Sequence, residues 1–225
     1  MCELLVDTDV LMKLALYGLL EEIAHAGCAA DCGRRTGIIG AAAYVARKRL
    51  HRRATDADSA TARLEAFLAT VARLEPTENE VEMAAAFEAA ASRAGVGLDT
   101  GESQLCVIAL TRGEPVILTG DKRAILAIER LTSEVEPLTA LANRVACLEQ
   151  ALKLVVRRIG ALLVRASVQA ERAADTAISI CFRVTIDVVP DDFEAEGLDS
   201  YIEAVRREAP NVLLPGSELD LSAVP

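Results

Sequence analysis

Two short apolar runs, each ending in an aspartate, constrain this chain more than anything else in its 225 residues. Leu4-Leu5-Val6 passes directly into Asp7-Thr8-Asp9, and Val116-Ile117-Leu118 passes into Thr119-Gly120-Asp121-Lys122. Brief runs that are apolar at successive positions and bounded by turn residues have the pattern of strands buried on both faces of a parallel sheet. In an open parallel sheet, ligands bind in the crevice beyond the carboxyl ends of the strands, so Asp7, Asp9 and Asp121 become candidate site residues. Between the two runs, Gly97 and Gly101 punctuate Leu98-Asp99-Thr100, and Glu102 leads into Leu105, Val107, Ile108 and Leu110, a short helix apolar almost all round. Carboxylates gathered from two strand ends and one helix start repel one another unless a cation lies among them, and hard oxygen donors suit Mg2+ or Mn2+. Asp99 and Asp121 also stand where helix N-caps are expected.

Around this α/β unit the patterning predicts mainly helices. One is expected from Val10 to Ala24, one from Ile38 to Leu50, and an amphipathic one carrying Leu64, Phe67, Leu68, Val71 and Leu74. Thr77 and Glu80 form a capping-box signature for a helix reaching about Ala94, and a further helix runs from Asp121 to about Leu131. Val135 to Leu138 is expected as a third, edge strand limited by Pro137. From residue 141 the character changes. Leu141, Val145, Leu148, Leu152, Val155 and Ile159 recur at alternating steps of four and three, a seam too short to prove a homo-oligomer and compatible with packing on the core. Ala173 to Phe182 reads as helix, Val184 to Val189 as strand or extended chain, and Leu198 to Glu208 as helix. Two units are therefore expected, residues 1–140 and a mainly helical extension over 141–225.

Composition narrows the class. Hydrophobic residues make up 52%, ample for a core, while aromatics are 3%, with alanine and leucine in their place. No stretch approaches about 18 uninterrupted apolar residues and the N-terminus lacks the features of a signal peptide, so no membrane association and a cytoplasmic setting are expected. Six scattered cysteines are too few for a disulfide scaffold. Cys28 and Cys32, with His25 nearby, are the only close set with metal-ligand character, and no second pair accompanies them.

Charge is unevenly placed. Residues 186–225 hold two basic and ten acidic side chains, most of the net charge of −10. Arg34 to Arg53 holds seven Lys or Arg and no carboxylate, densest around Arg47, Arg49, Arg52 and Arg53. Such a stretch is a phosphate-binding surface or a solvated helix end, where basic residues complement the dipole. The acidic segment from Asp187 onward either competes with a phosphate-bearing ligand for that surface or packs as an ordinary helix through Tyr201, Ile202 and Val205.

The stretches Leu5-Val6-Asp7-Thr8-Asp9-Val10-Leu11, Gly97-Leu98-Asp99-Thr100-Gly101-Glu102 and Ile117-Leu118-Thr119-Gly120-Asp121-Lys122-Arg123-Ala124 together resemble the PIN-domain nucleases, a family that includes many bacterial toxin ribonucleases. The resemblance covers roughly residues 3 to 140. It implies an α/β fold of three layers, α/β/α, with a short parallel sheet and an acidic metal site for Mg2+ or Mn2+. It also implies metal-dependent hydrolysis of RNA and, for toxin-like members, an antitoxin-like protein partner. Carried over by position, Asp7, Asp99, Glu102 and Asp121 hold the metal, with Asp7, Glu102 and Asp121 the core of the catalytic set. Asp9 stands where the family often has Asn, Thr119 is the hydroxyl beside the metal, and Lys122 with Arg47, Arg49, Arg52 and Arg53 supplies cations for the RNA backbone. The family usually adds an acid from a helix near residues 38–50, and Arg34 to Thr55 contains none. A chain without that acid is alternatively a degenerate module that binds RNA or a protein without cutting. The N-terminal stretch also resembles the Asp-x-Asp box of haloacid-dehalogenase-like phosphatases, with Asp7 as nucleophile and Asp9 as general acid/base, although the later acids of that family are missing after Asp121.

Overall fold

The computed structural model describes residues 2–24, 35–113 and 116–221, organised on five parallel strands. Strands β1 (Cys2–Val6), β2 (Arg35–Ile39), β3 (Ala72–Leu74), β4 (Val116–Thr119) and β5 (Val145–Cys147) lie side by side in the order β3-β2-β1-β4-β5. The chain adds β2 and β3 outward from β1, then crosses back to place β4 and β5 on the other side. Winding therefore reverses between β1 and β4, where Leu4, Leu5 and Val6 pair with Val116, Ile117 and Leu118.

The helices are α1 (Thr8–Tyr17), α2 (Leu20–Ala24), α3 (Gly40–Arg53), α4 (Ala57–Leu68), α5 (Glu78–Ala94), α6 (Thr100–Arg112) and α7 (Lys122–Leu131). After β5 come α8 (Leu148–Ile159), α9 (Ala161–Ala170), α10 (Thr176–Cys181) and α11 (Phe193–Glu208). Alternation along the strands divides the core in two. Leu4, Val6, Ile38, Val116, Leu118 and Ala146 face α1 to α4 and α8 to α10. Leu5, Ile39, Ile117, Val145 and Cys147 face α5, α6, α7 and α11. The protein is thus an α/β fold of three layers, with β1, β4 and β5 buried on both faces and the short edge strand β3 only partly covered.

Several segments differ from their patterning. β2 runs into the expected start of a helix at Ile38 and Ile39, and β3 and β5 occupy residues whose spacing predicts helix; β3 and β5 are three residues each, too short to impose a two-residue period on the helical spacing around them. The helix expected over 10–24 is two helices, because Gly18 takes a left-handed conformation (φ 71°) and its N–H closes onto the Ala15 and Leu14 carbonyls. In place of an edge strand at 135–138 there is a 3-10 turn, Glu136–Leu141, with Pro137 in its first turn where a missing N–H costs nothing. Val184 to Val189 forms turns and bends.

The sheet continues past residue 140, where the sequence places a boundary. β5 pairs with β4, and its outer edge is closed by residues 211–214: Val145 N–H donates to Val212 O at 2.9 Å, and Val145 and Leu213 form a parallel bridge. Leu148, Leu152 and Val155 of the heptad-like seam are buried in the core, and Gly160 (φ 89°) separates α8 from α9. The acidic segment forms α11, which packs on α7, α8 and α10 through buried Leu198, Ile202 and Val205, so the idea that it lies across the basic stretch is set aside. His25, Cys28 and Cys32 lie outside the described residues. Among the described residues no helix is long and apolar enough to cross a membrane.

Candidate functional site

Asp7 and Asp121 sit at two versions of one corner, each leaving a strand and capping the next helix. Asp7 Oδ1 accepts from Thr8 N–H at 2.6 Å, and Asp121 Oδ1 accepts from Arg123 N–H at 2.8 Å. Thr119 ties the corners together: its hydroxyl donates to Asp7 Oδ2 at 3.3 Å and accepts from Asp121 N–H at 3.1 Å. Because β1 and β4 are neighbours, both carboxylates open into the crevice at the point where winding reverses, the usual ligand position in such sheets.

The start of α6 supplies the other two acids. Asp99 Oδ1 accepts from Glu102 N–H and Glu102 Oε2 accepts from Asp99 N–H, both at 2.9 Å, a reciprocal capping box that fixes the pair. Capping and site membership therefore coexist at Asp99, Glu102 and Asp121. Together with Asp7 and Asp9 these residues line a single cavity of about 780 Å³.

Their titration reflects crowding in a shielded place. Burial, followed by the charge of Asp9, pushes the Asp7 carboxyl up to about 6. Burial likewise raises Glu102 to about 7, with added repulsion from Asp99, Asp121 and Asp7. Asp121 goes the other way, held below the ordinary carboxylate range by the Arg123 guanidinium. Among the described residues no three carboxylates are already drawn into one coordination sphere; each is engaged with its own capping or ion-pair partner. The donor chemistry nonetheless fits a hard divalent cation, with carboxylate oxygens facing one cavity and two of them short of neutralising charge.

Sequence reasoning missed Lys13. This buried lysine, one turn beyond Asp9 on α1, also lines the cavity, and its ammonium lies 2.6 Å from both Asp9 Oδ2 and Asp175 Oδ2. Burial opposes its charge, but the two carboxylates outweigh burial and its pKa is raised. The Asp9–Lys13 spacing of four residues was a readable signal of a helical ion pair; Asp175, from the extension, gave none. Gly120 makes room for this pair, since a Cβ there would collide with Asp9 Oδ2.

The expected cations separate into different places. Arg49 reaches the cavity from α3, beside Ala41, Ala42 and Val45, so that wall carries no acid. Arg47 is instead paired with Glu65 on α4 at 2.5 and 2.8 Å, while Arg52 and Arg53 are exposed at the end of α3 and do not line the cavity. Lys122 is a correction. Its ammonium contacts the buried Glu149 at 2.8 Å and lies 3.8 Å from the centre of the Tyr201 ring, outside the cavity; Arg123 takes the place expected of it. Replacing Lys122 by Gln should therefore cost about 1–3 kcal/mol in urea denaturation, by leaving the Glu149 carboxylate buried without its cation.

Comparison with protein-family models, with curated proteins and with solved structures finds no match.

Proposed function

We propose that this chain is a divalent-metal-dependent ribonuclease with a PIN-like fold. The observation that carries the reading is the arrival of Asp7, Asp99, Glu102 and Asp121 in one cavity at the winding reversal, with Asp7 and Glu102 both raised first by burial and then by neighbouring carboxylates. Asp7, Glu102 and Asp121 hold Mg2+ or Mn2+, and Asp99 orients Glu102 through the capping box. The bound ion supplies a water of lowered pKa and offsets charge building on the phosphate. Thr119 fixes the Asp7 carboxylate, Lys13 restrains Asp9 beside it, and Arg49 offers positive charge at the cavity wall to the RNA backbone. No histidine base is required. A toxin-like role with an antitoxin-like partner and a cytoplasmic setting belong to the same proposal.

A second reading, a degenerate module that binds RNA without cutting it, is favoured by the acid-free α3 wall of Ala41, Ala42, Val45 and Arg49. The phosphatase reading still lacks its later acids after Asp121, and Asp9, its general acid/base, is engaged by Lys13. Incubation of the purified protein with a labelled RNA pool decides between the first two. Cleavage is expected with Mn2+ or Mg2+, none in EDTA, and none for Asp121→Asn with Mn2+. Binding of RNA without cleavage under any divalent ion would establish the degenerate module instead.

A further inference from the structure

Arg123 is an exposed residue at the cavity, and it is paired with an acid proposed to bind metal. Its Nη2 lies 2.7 Å from Asp121 Oδ2 and its Nε 3.1 Å from Asp121 Oδ1, while its side chain is 86% exposed. We propose that Arg123 is exchanged between two partners: its guanidinium rests on Asp121 in the metal-free protein and passes to a backbone phosphate of bound RNA when Asp121 turns to a divalent cation. The inference rests on the metal-site reading above.

Four observations carry it. An ion pair this exposed is weakly held, so Asp121 gives up the guanidinium readily. The planar fork that matches a carboxylate with two parallel bonds matches a phosphate equally well, so the released group has an equivalent partner in the substrate. The α7 cap uses only Asp121 Oδ1, which accepts Arg123 N–H, so Oδ2 can pass from Nη2 to the cation while the cap is kept and the side chain swings. Arg123 also lines both the main cavity and an adjoining one of about 500 Å³ floored by Val96, Leu98 and Leu126, and the two share Asp99, Glu102 and Asp121. A strand of RNA passing from one cavity to the other crosses this side chain. Placement in the first turn of α7 supports a functional role, since the positive end of a helix dipole disfavours arginine there.

The exchange makes opposite demands on two affinities, which a purely structural arginine would not. Mn2+ is titrated by calorimetry into the wild type, Arg123→Gln and Arg123→Lys, and binding of a cleavage-resistant 2′-O-methyl RNA oligonucleotide is followed by anisotropy with Mn2+ present. Arg123→Gln should bind Mn2+ about two- to fivefold more tightly, as expected for loss of an exposed competing pair. The same variant should bind the oligonucleotide roughly fivefold more weakly at 0.1 M salt, with a log-log salt slope shallower by about 0.7, the signature of one lost phosphate contact. Arg123→Lys should restore the slope and leave the gain in Mn2+ affinity, because it keeps the charge and loses the fork. Equal Mn2+ affinity in wild type and Arg123→Gln, or an unchanged salt slope, would overturn the exchange while leaving the metal site standing. Absence of Mn2+ binding in both proteins overturns the metal-site reading and the exchange with it; binding gained only in Arg123→Gln supports the exchange.

Discussion

Asp7→Asn is expected to yield a folded protein that, at pH 8 in EDTA, is about 2–3 kcal/mol more stable than the wild type, and that neither responds to Mn2+ nor cleaves RNA. The Asp7 carboxyl is raised from its ordinary 3.8 to about 6 in the folded protein, with burial as the first cause. Between those values the folded state holds a proton that the unfolded chain has released. Stability contributed by this group is therefore complete below about pH 4, declines as pH rises towards 6, and stays lost above it. Glu102, raised to about 7, extends the decline upward. Asparagine carries no charge to bury and keeps an oxygen for Thr8 N–H, while the long Thr119 bond must reverse, the amide N–H donating to the hydroxyl oxygen that donated to Asp7. Urea denaturation in EDTA at pH 5, 6 and 8 tests this directly. The wild type should weaken across the series and Asp7→Asn should weaken less, while adding Mn2+ at pH 8 should raise the thermal midpoint of the wild type alone. An Asp7→Asn protein less stable than the wild type at pH 8 in EDTA would show that the carboxylate is satisfied rather than crowded.

Removal of residues 192–221 is expected to abolish folding. That segment contributes Phe193, Leu198, Ile202, Val205, Val212, Leu213 and Leu214, all buried, and spreads them over both core clusters. At about 1.5–3 kcal/mol for each large apolar side chain, the loss exceeds 10 kcal/mol, comparable with the whole stability of a typical domain. Circular dichroism should show loss of cooperative melting, not a smaller folded core. A truncated protein that still melts cooperatively would mean that residues 2–191 form an independent unit. The exposed acids of α11, Glu196, Glu203 and Glu208, invite a reading as a loose tail, but the same helix buries Phe193, Leu198, Ile202 and Val205.

The parts of the fold legible in the sequence are those in which one short stretch contains both the strand and the residue that ends it. β1 with Asp7 and β4 with Asp121 could be placed because a run of apolar residues stops abruptly at a capping residue, and the spacing from Asp99 to Glu102 is itself a capping-box pattern. β2 was hidden by Ile38 and Ile39 running straight into the alanines of α3, and β3 and β5 by their brevity. Lys122 and Arg123 show a different limit. Neighbouring residues in a helix point about 100° apart, so which of them faces the crevice is decided by how α7 seats against α11, and Tyr201 and Glu149 claim Lys122 from outside the α/β unit. Lys13 was readable in hindsight from Asp9 alone, whereas Asp175 comes from more than 160 residues away and depends wholly on tertiary placement.

The strip formed by residues 211–214 along β5 bears on how the protein avoids associating with itself. An uncovered parallel strand presents a row of unpaired amides to any passing chain, and proteins guard such edges by covering them or keeping them short. Here both devices are used: β3, at one margin, is three residues long, and β5, at the other, is sealed by the later segment through Val145 and Leu213. During synthesis the seal arrives more than sixty residues after the strand it covers. Until then a newly made chain carries an open, apolar margin, which makes the interval between emergence of β5 and emergence of residue 214 the period when aggregation competes most strongly with folding.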